Sequence, residues 1–340
     1  MAAYTTIDNP ELYFQCKLYT GNGSDDHAMT FDNTDTSMQP DMVWMKSRTQ
    51  SGYNHYLVDA VRGVTKALRP NLGNDEDTYS DAFKSFDSNG FTLDDDTSNS
   101  EINQNTKTYV AWCWKETATA GFDMVLYTGN ATDDVDISHS LSAVPHVIIV
   151  KNRDNTNNES WAVYHHKNTS APETDRLYLN SNGATGDDDE FWSDEVPTSS
   201  VFTIGRQDVV NTSSGNHIAY LWSEKQGYSK FGTYRGNGNA DGTFIYLGFK
   251  PAWFMCKNYQ DSGDNWIVHD NKRDTFNVTD AGLAPNDNGS EFTDVDMDFL
   301  SNGVKMRNNT GRANSAKTFV YMAFAESPFV NSNGVPNNAR

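Results

Sequence analysis

The sequence predicts an all-β protein made of three tandem β-sandwich domains of one repeated type. A set of anchor motifs recurs three times in the same order, at a spacing of about 105 residues, which suits a small domain rather than a solenoid unit. Between the anchors, short apolar runs rich in Trp, Tyr and Phe alternate with loops of Asn, Asp, Gly, Ser and Thr, the signature of strands and turns. No stretch carries the 3.6-residue apolar period of a long amphipathic helix.

Each repeat opens on a tyrosine and a glycine-asparagine loop: Tyr19-Thr20-Gly21-Asn22-Gly23, Tyr127-Thr128-Gly129-Asn130 and Tyr234-Arg235-Gly236-Asn237-Gly238. A proline-led apolar run closed by lysine follows, at Pro40 to Lys46, Pro145 to Lys151 and Pro251 to Lys257. Proline at the start of a strand removes no ladder donor. The continuous runs Met42-Val43-Trp44-Met45 and Val147-Ile148-Ile149-Val150 predict strands covered on both faces. Next come Tyr56-Leu57-Val58, Trp161-Ala162-Val163 and Trp266-Ile267-Val268. Ser88-Asn89-Gly90-Phe91 and Ser301-Asn302-Gly303-Val304 are turns into strands, with glycine free to take positive φ. The middle repeat has Thr198-Ser199-Ser200-Val201 instead. Each repeat closes on an aromatic strand: Tyr109 to Glu116, His217 to Glu224, Phe319 to Glu326. The chain thus divides into an arm (1–12), repeats at 13–118, 119–226 and 227–328, and a tail (329–340). Joints near Thr117 to Gly121 and near Gly227 are short, so the domains should touch rather than swing.

A net charge of −20, from 46 acidic against 26 basic side chains, argues against a nucleic-acid partner, which needs clustered Lys and Arg. The start of the chain has neither a basic stretch nor an apolar run, so no signal peptide and no membrane insertion are expected. Cys16, Cys113 and Cys256 share no metal-ligand spacing and read as small buried apolar residues.

The motif order Tyr-x-Gly-Asn-Gly, Pro-x-x-Val/Phe-x-x-Lys-x-Arg, Trp-x-Val-x-Asp, Leu-x-Pro-Asn, Ser-Asn-Gly-Phe, Tyr-Val-Ala-Trp resembles a family of marine bacteriophage structural or tail-associated proteins. These carry repeated concanavalin A-like (jelly-roll, SPRY-like) modules. The first repeat matches most fully, with Asp59-Ala60-Val61-Arg62-Gly63 and Leu68-Arg69-Pro70-Asn71; the third keeps His269-Asp270-Asn271-Lys272-Arg273 and Leu283-Ala284-Pro285-Asn286. The second departs, with Tyr164-His165-His166-Lys167 and Leu177-Tyr178-Leu179-Asn180. The resemblance implies three tandem jelly-roll domains in a non-enzymatic virion protein, placed as a tail or fibre component or as capsid decoration. It implies other phage virion proteins as partners, self-association, and a host-surface glycan as a candidate ligand. The arm has no counterpart in the repeats and is the expected docking segment, with Tyr4, Tyr13 and Phe14 as its anchors.

Sugar sites stack a ring on an aromatic face and surround it with polar loop donors. The candidates are Tyr19, Asn22, Tyr127, Asn130, Tyr234 and Asn237 in the repeated loops, with Phe191 and Trp192 outside them. The competing reading of the repeated tyrosines is that each fills its core. Lys46-Ser47-Arg48 and Lys151-Asn152-Arg153 end buried strands, and pairing with Asp59 or Asp270 would fix those ends. The clusters Asp94-Asp95-Asp96, Asp187-Asp188-Asp189-Glu190 and Asp294-Val295-Asp296-Met297-Asp298 read as solvated loops, the last as an exposed strand edge. Carboxylates bunched in this way also hold Ca²⁺ in some lectin-like sandwiches. The alternative function is therefore a calcium-dependent lectin or a polysaccharide-degrading enzyme. The His165-His166 pair points to opposite faces of a strand and is a poor chelate; His27, His55, His139 and His146 read as surface or turn residues. Glu116, Glu224 and Glu326 recur in register, but single equivalent acids do not make the facing pair of a glycosidase, and they read as strand-end or linker contacts.

Overall fold

The computed structural model describes residues 4–32, 36–154 and 159–337, and the chain is all-β. In the first repeat the main antiparallel sheet runs in the order Phe14–Thr20, Thr108–Trp114, Met42–Ser47, Tyr56–Asp59, faced by a smaller sheet of His27–Thr30, Gly90–Leu93 and Phe83–Asp87. The third repeat has the same order: Ser229–Arg235, Thr318–Pro328, Phe249–Asn258 and Ile267–Asp270, faced by Phe244–Tyr246, Gly303–Met306 and Met297–Leu300. The second repeat follows it with Phe122–Thr128, Asn216–Trp222, Val147–Asn152 and Ala162–His165. It extends that sheet by Asp175–Tyr178 and Gly186–Asp187, and its smaller sheet pairs Val135–Ser138 with Val201–Ile204.

Opening and closing strands pair within each repeat, so every sheet is completed by its own segment of chain. Tyr19 sits opposite Tyr109, Tyr127 opposite His217 and Tyr234 opposite Phe319. The three ring pairs stack at the same 5.0 Å. Gly90 (φ 131°) abuts the facing strand so closely that a Cβ would lie 1.9 Å from Met29 O, which is why the turn needs glycine.

The continuous apolar runs have a double use. One face of the first main sheet (Val43, Met45, Val58, Ala111, Cys113) packs on Met29, Phe91 and Leu93 to make the repeat's own core. The opposite face (Trp44, Leu57, Val110, Trp112, Trp114) enters a second core shared with Trp161, Tyr220 and Trp222 of the middle repeat and Trp253, Met255 and Phe324 of the third. The main sheets of the three repeats therefore face one another around a common centre. An apolar void of about 20 Å³ lies there, lined by residues of all three repeats.

The arm lies along the third repeat and its joint with the second. The Tyr4 hydroxyl donates to Gly248 O (2.9 Å), Thr5 Oγ1 donates to Gln226 O (2.8 Å), and Ile7 is buried in the shared core. Tyr13 meets Tyr228 edge-on at 6.0 Å, and Phe14 stacks on Phe324 at 5.3 Å. The anchors expected to reach a neighbouring protein have partners within the chain: Phe14 is buried in the shared core, Tyr13 packs half-buried against it, and Tyr4 lies half-exposed on the third repeat. Ser332 N–H donates to Asp8 Oδ1 (2.7 Å), so arm and tail also meet. Residues 1–3 of the arm and 338–340 of the tail lie outside the described residues.

Two other expectations need correction. His55 is fully buried rather than a surface residue. Asp96, placed in a solvated acidic loop, is 1% exposed and accepts from the N–H groups of Ile102 (2.7 Å) and Asn103 (3.2 Å). Burial raises its carboxyl to about 6. All three cysteines are free and buried.

Candidate functional site

The repeats are joined into a ring by bonds that recur at each junction. The Trp161 indole of the second repeat donates to Arg69 O (3.1 Å) and Leu72 O (2.9 Å) of the first, and Trp266 of the third donates to Tyr178 O (2.9 Å) of the second. His55 occupies the matching place in the first repeat and closes the cycle on Ala284 O of the third at 3.0 Å. A carbonyl only accepts, so His55 Nε2 carries the proton and Nδ1 is left to accept from Trp44 Nε1 at 2.9 Å. Burial holds this imidazole well below its ordinary pKa, in the neutral form the arrangement requires.

A second cycle is made by charge. Tyr220 OH donates to Asp59 Oδ2 (2.7 Å), and Trp112 Nε1 donates to Asp270 Oδ2 (3.0 Å). Each aspartate is buried and paired with the arginine three residues on, Asp59 with Arg62 at 2.6 Å and Asp270 with Arg273 at 2.5 Å. Burial would raise the Asp270 carboxyl pKa, but the Arg273 charge and the indole bond outweigh it and hold it below the usual range. The third junction differs. Met322, at the place of Trp112 and Tyr220, has no proton to give, and the facing positions hold His165 and Asn168 instead of Asp and Arg. His165 bonds Tyr321 O at 3.1 Å. The buried charge is present only where a neighbour donates to it, as desolvation demands.

Farther out, Arg48 pairs with Glu291 (2.6 Å) and Arg153 with Glu76 (2.9 Å), each across a junction. These arginines were expected to meet Asp59 or Asp270; those carboxylates are instead saturated by Arg62 and Arg273. Backbone bonds Glu291 N to Arg48 O, Glu76 N to Arg153 O and Thr185 N to Tyr259 O repeat around all three junctions. Lys46, Lys151 and Lys257 are buried beside them; Lys46 donates to Ser47 O, Lys151 to Gly73 O and Glu159 O, and Lys257 to Asn258 O. Burial lowers their pKa to about 8, 7 and 8 respectively. The strand-end acids serve the links: Glu116 accepts from Met124 N–H (2.9 Å) and Glu224 from Phe231 N–H (2.7 Å), while Glu326 accepts from Lys250 and Asn271.

The rings singled out for sugar stacking are committed elsewhere. Tyr19, Tyr127 and Tyr234 donate to Ile102 O, Val210 O and Ala313 O inside their repeats. Phe191 and Trp192 are each 1% exposed in the core of the second repeat. Asn22, Asn130 and Asn237 remain at the surface, where each Oδ1 accepts from the N–H two residues on. Buried Asn103, Asn211 and Asn314 hold these loops from beneath, each accepting the N–H of the loop asparagine.

An open groove lies where the second and third repeats and the arm meet, as two adjoining cavities of about 470 and 500 Å³. Its floor is the seam between the edge strands Ser229–Arg235 and Phe244–Tyr246, and its far wall is the turn at His166 and Lys167. Phe244 and Tyr246 face outward at 44% and 49% exposure, with Ile245 between them turned into the core. Lys230 Nζ lies 5.2 Å from the Tyr246 ring centroid and donates to Tyr246 O (3.0 Å). The His166 ring lies 2.8 Å from Phe231 O and meets His146 edge-on. The groove lies away from the repeated anchors, so the repetition of motifs does not reveal it. The usable signal is the departure from repetition: the matching outward positions are Ala28 and Thr30 in the first repeat, Asp136 and Ser138 in the second.

Among the described residues, no group of three or more His, Cys, Asp or Glu side chains is placed to hold a metal ion, and no helix is long and apolar enough to cross a membrane. Fold and junctions define a class of sandwich-like β proteins in which one chain supplies three repeats to a closed ring. The chain belongs to the family described as Domain of unknown function (DUF7483), which matches residues 9–328 and so takes in all three repeats as one unit. No curated protein matches the chain.

Proposed function

We propose that the chain is a non-enzymatic structural protein of a bacteriophage particle, displayed as a capsid decoration or as a tail- or fibre-associated component. In this reading its three repeats are jelly-roll, concanavalin A-like domains, and its partners are other virion proteins. The observation that carries the proposal is the cycle of equivalent junctions around a shared aromatic core. A chain with threefold pseudosymmetry seats as one copy on a threefold site, each repeat meeting an equivalent surface below it. Decoration at such a site on the head is the placement this favours. The ordered Gly-Asn loops, pinned from beneath by buried asparagines, supply three alike contact points.

The test is labelling of intact particles with a gold-tagged antibody against the chain. Gold over the head is the expected result. Gold confined to the tail moves the protein to a tail or fibre role, and unlabelled particles overturn the virion assignment.

A further inference from the structure

We propose that the groove between the second and third repeats binds a saccharide bearing carboxylate groups, such as a polyuronate chain. Phe244 and Tyr246 stand two residues apart on an edge strand and present neighbouring exposed rings, a platform on which successive pyranose rings stack. Polar groups of both kinds surround it. Lys167 is exposed and has no ion-pair partner among the described residues, and Lys230 rests against Tyr246. The carbonyl at Phe231 takes the proton of His166 Nε2, which leaves Nδ1 as an acceptor for a sugar hydroxyl. Glu224 turns one oxygen to Phe231 N–H at 2.7 Å.

Charge selects the ligand. Two lysines against one carboxylate make the groove locally cationic, on a chain whose net charge is −20. The net charge of the chain disfavours a polyanion, so one that binds needs a locally cationic seat such as this groove. An extended peptide added to the Phe244–Tyr246 edge is the rival occupant. It would use backbone bonds and leave the paired rings and Lys167 without a part, so the saccharide is favoured. The inference rests on the display reading only for the source of the sugar; the groove itself is tested on the isolated protein.

The experiment is calorimetric titration of the full chain with an oligouronate hexamer and with a neutral glucan hexamer of equal length. Binding of the uronate at least tenfold tighter than the glucan is expected, weakening as salt rises. Tyr246→Ala and Lys167→Glu should each weaken it tenfold or more, while Asn22→Ala leaves it unchanged. Lys167 is exposed, so its variant keeps the fold, which an unchanged melting temperature verifies. Equal binding of both sugars, binding of neither, or uronate binding indifferent to Lys167→Glu would overturn the proposal. Failure here leaves the gold-labelling result standing, and failure of the labelling leaves this one standing.

Discussion

Asp59 is held by three groups at once: the Arg62 guanidinium, the Arg62 backbone N–H and the hydroxyl of Tyr220 from the next repeat. Removing the carboxylate leaves the fully buried guanidinium with Glu76 as its remaining counter-charge (3.1 Å), so Asp59→Ala should cost about 3 kcal/mol, the low end for breaking a buried pair. Tyr220→Phe removes one donor and leaves the ion pair, a loss of about 1–2 kcal/mol. Urea unfolding measures both; a loss below about 1 kcal/mol for Asp59→Ala would remove the ring's charged junctions from the account of its stability. The buried lysines act in another direction. Because burial lowers their pKa in the folded state, the unfolded chain binds more protons between that pKa and the ordinary lysine value of 10.5. Stability should therefore rise as pH increases from about 7 to about 10. Lys151→Met should flatten that rise, seen as a smaller change in urea midpoint between pH 7 and pH 10.

The Gly-Asn loops are small elements whose shape is imposed from below. Asn314 Nδ2 donates to Asn237 Oδ1, Asn239 O and Asn308 O, and Asn103 plays the same part in the first repeat. Asn314→Ala takes the side-chain partner from Asn239 O, Asn308 O and the Asn237 N–H, while Asn237 Oδ1 keeps the Asn239 N–H, at about 1–3 kcal/mol. Hydrogen exchange should quicken in the third repeat's loop and not in the other two; faster exchange in all three would mean that the loops are coupled. The strands were largely legible, since proline-led apolar runs and aromatic closing strands have few other readings. Which face served which core was not. In Met42-Val43-Trp44-Met45 both faces are apolar, so alternation separates two cores only after the neighbouring repeat is in place. Phe191 and Trp192 misled because they lie outside the repeated anchors, while the packing that buries them comes from Tyr164 and Tyr178, distant in sequence. His55 was unreadable for a related reason: its acceptor, Ala284, lies in another repeat.

The molecule as a whole should behave as one body, because each repeat has, besides its own core, a second apolar face that is buried only against the other two. A single repeat, residues 13–118, would expose Trp44, Trp112 and Trp114 to water, together with the buried Asp59–Arg62 pair. Expressed alone it should aggregate or remain unfolded, whereas the full chain should unfold in one transition by both fluorescence and far-ultraviolet dichroism. A soluble, cooperatively folded single repeat would mean that the shared core is dispensable. The arm belongs to the same body. Deleting residues 1–12 takes Ile7 out of the shared core and should lower the melting temperature, so a loss of particle incorporation on that deletion would mix instability with docking. Tyr4→Ala, which leaves Ile7 and Phe14 in place, separates the two.

One chain in place of three identical subunits has a consequence for the odds of capture. A homotrimer would repeat every groove three times at each seat; here the exposed Phe244 and Tyr246 pair occurs in one repeat of three. Each copy grips with a single hand, so a firm hold on a polymer has to come from the number of copies arrayed side by side and the spacing between them.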